Sequence, residues 1–224
     1  MINLYTDLFI AKFSFWPHLS AVQKMEISGK TQLRQYKKGE ILYESKESCL
    51  GIVLVKTGQL RAYTLSEDGR EVTLYRLFPG DVGILTASCV LQAVTYHVFV
   101  EADADTQVLL TDSEAFGKLV EDNIYVRCFA YEMASARLSE MLWTLQQILF
   151  FSADKRLALF LLEESKKNAS NRLLITQEQI ARYMGSAREV VSRLLKYFVS
   201  EEIVRSERGS VTIMDRKKLE KLAR

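Results

Sequence analysis

The chain has 224 residues, 48 % hydrophobic and 26 % charged, with a net charge of +2. That composition suits one large globular domain or two modest ones, and no apolar run approaches the ~18 residues of a membrane span. The opening MINLYTDLFIAKFSFWPHL has neither the basic region nor the cleavage site of a signal peptide, so a cytoplasmic protein without a membrane partner is expected. Cys49, Cys89 and Cys128 are too far apart for a disulfide framework or a clustered metal site, and are expected to be small buried residues. The charge is uneven. Residues 171–224 carry 12 Lys/Arg against 7 Asp/Glu, a balance of +5 that leaves −3 for residues 1–170. The basic end is the expected phosphate-facing end, because neutralising phosphates releases counterions.

In chain order, residues 4–28 read as two short helices, with apolar positions Leu8, Phe9, Phe13, Leu19, Val22 and Met25 broken by Trp16-Pro17. The first is expected to be an N-terminal arm. From Thr31 to Thr111 the texture changes to short β-rich runs: 32–37, 51–56, 60–65, 71–78, 94–100 and 107–111. Turn signals separate them, at Lys37 to Glu40, Lys56 to Gln59, Ser66 to Glu71 and Phe78 to Asp81, so a compact antiparallel barrel or roll is expected.

A short helix follows at 112–120, with Asp112 or Ser113 able to cap it, and then a long helix to about Phe151. On the long helix Ile124, Cys128, Tyr131, Ser135, Leu138, Leu142, Leu145 and Leu149 alternate four and three apart, the period of a coiled-coil seam. Phe129, Met133, Met141, Trp143 and Ile148 lie off it, so the helix needs two partners. The seam is assigned to a second copy of the chain and the other face to the β-roll. A break at Ser152-Ala153 marks a hinge, after which Leu157, Phe160, Leu161 and Leu162 are the expected buried side of a further helix. Residues 168–172 form a polar loop.

The stretch ITQEQIARYMGSAREVVSRLLKYFV then reads as two helices around Gly185-Ser186, with Thr176 and Gln179 spaced as a capping box. At ~100° per residue, Val190, Val191, Leu194, Leu195 and Phe198 share one arc of the second helix. Arg188, Glu189, Ser192, Arg193 and Lys196 share the opposite arc. Arginine can take guanine O6 and N7 with two N–H groups, and glutamate can accept from cytosine N4. A solvated surface helix is the competing reading. Against it, Ile203 to Ser206 and Ser210 to Met214 flank a turn like the wing of a winged helix-turn-helix. The closing MDRKKLEKLAR reads as a short helix capped by Asp215, whose run Arg216, Lys217 and Lys218 is a solvated face or a weak phosphate contact.

These residues resemble the Crp/Fnr superfamily of transcription factors, whose recognition helix carries R-E-x-x-x-R or x-E-x-x-S-R. Arg188, Glu189, Ser192 and Arg193 stand in those places. The turns are similar to the family's effector-binding β-roll, in which K-G-E-x-[IL], a G-x-[VL] strand pair, an E-D-G-R-E hairpin and a P-G-D turn recur in this order, so the resemblance covers nearly the whole chain. It implies an α+β fold: an N-terminal antiparallel, jelly-roll-like β-roll, a long dimerisation helix and a C-terminal winged helix-turn-helix, with bounds 1–120, 121–151 and 152–224.

The departure concerns the effector. Cyclic-nucleotide-binding members follow the P-G-D turn with a glutamate for the ribose and, later, an arginine beside a serine or threonine for the cyclic phosphate. Laid without gaps, these positions fall on Leu85, Thr95 and Tyr96. A phosphate buried without a cation is costly, so cyclic AMP is not an expected ligand. The segment around Leu85 and Cys89 suits a small apolar effector, with Thr95, Tyr96 and Tyr131 as further candidate contacts, or else it simply fills the roll. No resident cofactor or metal is expected. Haem is the alternative, with His97 and Cys89 able to serve as axial ligands, and a thiol switch at Cys89 or Cys128 is a second. No cluster of titratable groups suggests an enzyme.

The expected function is an effector-responsive homodimer that binds a palindromic site in double-stranded DNA, with RNA polymerase a further partner. The different-class alternative is a ligand-independent architectural dimer. Arg193 and Glu189 are the main base readers, Arg188 and Ser192 lie at the edge of base or phosphate contacts, and Lys196, Thr176 and Gln177 complete the interface.

Overall fold

The computed structural model describes residues 5–44, 51–67, 69, 71–84 and 98–224. They pack as two units, Met1–Leu65 with Leu74–Met141, and Ser66–Thr73 with Leu142–Arg224.

The first unit begins with α1 (Thr6–Lys12), a single 3-10 turn at Trp16–His18 carrying the proline, and α2 (Ala21–Gly29). Ser20 caps α2 in a capping box with Gln23. The first helix, expected to be an N-terminal arm, is packed into the core of this unit. Phe9, Phe13 and Phe15 are at most 1 % exposed, and the rings of Phe13 and Phe15 meet the edge of Phe129 at 6.0 and 5.0 Å. Burial of aromatic surface holds this segment in the core.

Eight strands follow: β1 (Thr31–Tyr36), β2 (Ile41–Glu44), β3 (Ile52–Thr57), β4 (Leu60–Leu65), β5 (Glu71–Leu77), β6 (Val82–Ile84), β7 (Phe99–Ala102) and β8 (Thr106–Thr111). They form two four-stranded sheets, ordered β1-β8-β3-β6 and β2-β7-β4-β5. Val53, Val55 and Val108 of one sheet pack against Leu60, Ala62, Val100 and Ala102 of the other, which is the roll anticipated from the turn spacing. Gly58 makes the β3–β4 turn at φ +81, where a Cβ would come within 2.6 Å of Thr106 and Asp105 backbone atoms, so both backbone angle and space demand glycine. Of the expected strand at 94–100, residues 94–97 lie outside the described set and the strand is seen from Phe99. Strands β2 and β6 were not anticipated, being four and three residues long.

On β4, Leu60 and Ala62 point between the sheets while Arg61 and Tyr63 alternate to the other face, and these too are buried, at 0 and 5 % exposure. Arg61 stands directly opposite Glu101 of β7, its Nε 3.0 Å from Oε1, with the guanidinium 4.1 Å above the Tyr63 ring. A buried cross-strand ion pair of this kind fixes the pairing partner and register.

Helix α3 (Ser113–Asp122) is capped by Asp112, which accepts from the N–H groups of Glu114 and Ala115. Helix α4 (Ile124–Phe150) buries Val126, Phe129 and Ala130 in the first unit's core. There Arg137 donates to the Val82 carbonyl at 3.2 Å and to both oxygens of Glu140, with its guanidinium 5.1 Å from the Tyr75 ring. The anticipated seam is exposed along its length. Tyr131, Leu138, Leu142, Leu145 and Leu149 are 50–62 % exposed. Cys128 is exposed with them, which corrects its reading as a buried thiol; Cys49 and Cys89 lie outside the described residues.

The second unit contains α5 (Ala153–Lys167), β9 (Arg172–Leu173), α6 (Gln177–Met184), α7 (Arg188–Ser200), β10 (Val204–Glu207), β11 (Ser210–Ile213) and α8 (Arg216–Leu222). Leu157, Ala158, Phe160 and Leu161 are the buried side of α5, while Leu162, expected among them, is half-buried at the margin. The polar loop ends in β9, which adds a third strand to the wing in the order β10-β11-β9, so Arg172 is strand rather than loop.

Two predictions follow from these contacts. Glu101→Ala leaves the Arg61 guanidinium buried without this carboxylate and lowers the unfolding free energy by about 3–5 kcal/mol, read from urea titration. Asp154, in the first turn of α5, has its carboxyl held below the ordinary value chiefly by a hydrogen bond from the Ser152 side chain, against partial burial and with help from the Asp154 and Lys155 N–H groups. Its contribution is present above the ordinary carboxylate pKa of ~3.9 and is lost as pH falls through the lowered folded value. Wild type therefore exceeds Asp154→Asn by about a few tenths of a kcal/mol at neutral pH, since solvent screens the carboxylate, and the difference closes in acid, measured by urea titrations across pH.

Candidate nucleic-acid interface

Helix α6 starts where the sequence supplies the cap. The Thr176 hydroxyl accepts from the Gln179 N–H at 3.2 Å, and Gln179 Oε1 accepts from the Thr176 N–H at 2.9 Å. It ends where Gly185 takes the left-handed conformation, φ 59 and ψ 41, with Ser186 N–H donating to the Ala181 carbonyl at 2.9 Å. This C-terminal cap turns the chain sharply into α7. The two helices are held by Ile180, Ala181 and Met184 of α6 against Val191, Leu195 and Phe198 of α7. Leu157 and Leu161 of α5, Val211 and Ile213 of the wing and Leu219 of α8 lie behind. Val190 and Leu194, expected on the apolar arc, are half-buried at its margin.

The opposite face of α7 is left to solvent. Arg188, Glu189, Arg193 and Lys196 are exposed and Ser192 is half-buried. With Gln177 at the start of α6 these side chains line an open depression of about 400 Å³. Three cations and one carboxylate make it net positive, a surface suited to the edge of a polyanion. Thr176 is occupied by its capping role, with its hydroxyl directed to Gln179.

One charged residue in this region was not anticipated. Glu178, in the first turn of α6, lies 3.7 Å from Arg188 through its Oε2 and the Arg188 Nε. Nothing in sequence spacing signals it, because the pair depends on how α6 and α7 cross.

The wing turns at Arg208 and Gly209, and Arg172 of β9 approaches Glu207 of β10 at 3.9 Å. In the closing basic run, Arg216 is 3.2 Å from Glu220 and Lys218 donates to the Glu201 carbonyl at 3.0 Å. Those two cations make contacts within this unit.

Of the candidate effector residues, Leu85, Cys89, Thr95 and Tyr96 lie outside the described residues, as does His97. Tyr131 is half exposed on the α4 seam. His18 stacks on Tyr125 with ring centroids 3.7 Å apart. Among the described residues no group of three His, Cys, Asp or Glu is arranged to hold a metal ion, and no helix is long and apolar enough to cross a membrane.

Comparison with known proteins agrees with this architecture. Residues 33–123 match the cyclic nucleotide-binding domain and residues 155–222 the Crp-like helix-turn-helix domain. The crystal structure of a transcriptional regulator of the Crp/Fnr family from Eubacterium rectale is 41 % identical with a TM-score of 0.87, over 95 % of this chain and 99 % of that one. A cyclic AMP receptor protein from Thermus thermophilus is 26 % identical over 86 % of this chain and 88 % of its own length. An anaerobic regulatory protein from Haemophilus influenzae is 26 % identical over 80 % of this chain and 71 % of its own. With two domain matches in the family's order and a full-length relative above 40 % identity, the chain belongs to the Crp/Fnr family of transcriptional regulators, which are DNA-binding proteins and not enzymes.

Proposed function

We propose that this regulator binds a palindromic operator as a homodimer and responds to a small apolar effector in its β-roll. The observation that carries the reading is the polar face of α7, free of the core and opening on a net-positive depression. Arg193 and Glu189 read bases, Arg188 and Ser192 border them, and Lys196, Gln177 and the α6 N-terminus at Thr176 face phosphate. The dimer forms through the exposed seam of α4, where each leucine, already about half buried in the single chain, contributes about 1 kcal/mol when covered by a second copy. Paired recognition helices one turn of DNA apart then match a two-fold operator.

The effector is not cyclic AMP, because Leu85, Thr95 and Tyr96 stand where the ribose acceptor and phosphate partners are needed. The site, around Leu85 and Cys89, acts by population shift: a ligand that binds two arrangements of the dimer unequally favours one of them. The protein works in the cytoplasm, where RNA polymerase is its further partner.

The test is selection of sites from a random DNA library by purified full-length protein, after its absorption spectrum and its mass by light scattering have been recorded. A colourless dimer enriching a palindrome is expected, with no heat of binding on titration of cyclic AMP. A Soret band moves the assignment to haem. A palindrome bound identically with and without every small molecule tried makes the protein an architectural dimer, and a monomeric mass removes the role of the seam. Arg193→Ala reduces discrimination at one base pair per half-site by about 1–3 kcal/mol. Equal loss on all sequences makes Arg193 a phosphate contact.

A further inference from the structure

The ion pair joining the two helices of the reading motif bears on how the face chooses bases. Glu178 belongs to the first turn of α6 and Arg188 is the first residue of α7. Their contact runs from Oε2 to Nε at 3.7 Å, with the side chains 65 and 64 % exposed. Arg188 sits at the positive end of the α7 dipole, where a cation is disfavoured, and Ala187 before it supplies no side-chain cap. A carboxylate reaching over from α6 offsets that cost. The same carboxylate, unmatched on a phosphate-facing surface, opposes DNA of every sequence. The pair therefore satisfies both groups.

Its geometry matters more than its charge. The Glu178 carboxylate lies nearest the Nε edge of the guanidinium, at ion-pair distance and without a hydrogen bond, so its attraction draws that edge toward α6 and leaves Nη1 and Nη2, the fork able to meet guanine O6 and N7 together, unclaimed by it. A phosphate grip needs positive charge but no fixed direction, whereas base readout needs both.

We infer that Glu178 is a positioning residue for Arg188: its charge draws the Nε edge of the guanidinium toward α6 so that Arg188 reads a guanine instead of gripping a phosphate. This rests on the DNA-reading assignment made above. Specificity at that base is then set from the helix that precedes the recognition helix, by a residue that itself touches no base.

The experiment uses full-length wild type, Glu178→Gln, Arg188→Ala and the double variant, with melting temperatures as a check on folding. Each is titrated with the enriched operator, with operators changed at single base pairs, and with unrelated DNA. Arg188→Ala is expected to relax preference at one base pair per half-site. Glu178→Gln relaxes preference at that same pair by roughly two- to fivefold, the range of an exposed ion pair, while binding unrelated DNA at least as tightly as wild type. In the Arg188→Ala background the Glu178→Gln change leaves preference unaltered. The inference is overturned if Arg188→Ala weakens all sequences equally. It is overturned also if Glu178→Gln shifts affinity without touching preference at that pair, for then the carboxylate acts by charge alone. Wild type that enriches no site removes the DNA-reading assignment and this inference together. A wild-type preference that depends on Arg193 but survives Glu178→Gln removes this inference alone.

Discussion

A helix can present a polar face to another molecule only if its other face is held from behind. Here the holding contact is the seam of Val191, Leu195 and Phe198 against α5, α6 and the wing. Burial of those side chains, at about 1.5–3 kcal/mol each, fixes the rotation of α7 about its axis and so decides which residues face outward. The Gly185 cap serves the same end, since the left-handed turn sets the angle at which α7 leaves α6. Arg188, Glu189, Arg193 and Lys196 are exposed because Val191, Leu195 and Phe198, on the opposite side of the helix, are held in the core.

The β-roll obeys a different constraint. Its sheets share an ordinary apolar interior, yet Arg61 and Glu101 are buried on the far side of one of them, where a salt bridge gains less than a well-packed apolar pair would. What the pair supplies is definition: a slip by one residue on β4 turns Arg61 into the apolar interior and leaves both charges alone. The turn at Gly58 works beside it, since the register of β3 with β8 and of β4 with β7 both pass through that crowded corner.

Much of this was legible in the sequence, for identifiable reasons. Thr176 and Gln179 form the capping box their spacing implies, Gly185 ends α6, Asp112 and Asp215 cap their helices, and the wing lies within a residue of its expected bounds. In each case a local rule and the tertiary structure agree. The misreadings arise where the decision is non-local. Phe9 and Phe13 read only as apolar positions of an N-terminal arm until Phe129, more than a hundred residues on, meets Phe13 and joins them in one core. Cys128 looks like a buried thiol by residue type, while its place on the α4 seam leaves it exposed on the single chain. β2, β6 and β9 are too short to carry an alternating pattern, and the Glu178–Arg188 pair exists only through the crossing of two helices.

The exposed leucines of α4 also make the amount of protein part of its behaviour. A chain that leaves Leu138, Leu142, Leu145 and Leu149 in water presents an unfinished surface, and whatever completes that surface is recruited by mass action. If the completing surface is another copy, the concentration of dimers able to span a two-fold operator rises with the square of the chain concentration when chains are scarce. Copy number then acts as a second input to the regulator, one that a cell adjusts by synthesis and dilution at division, without any ligand.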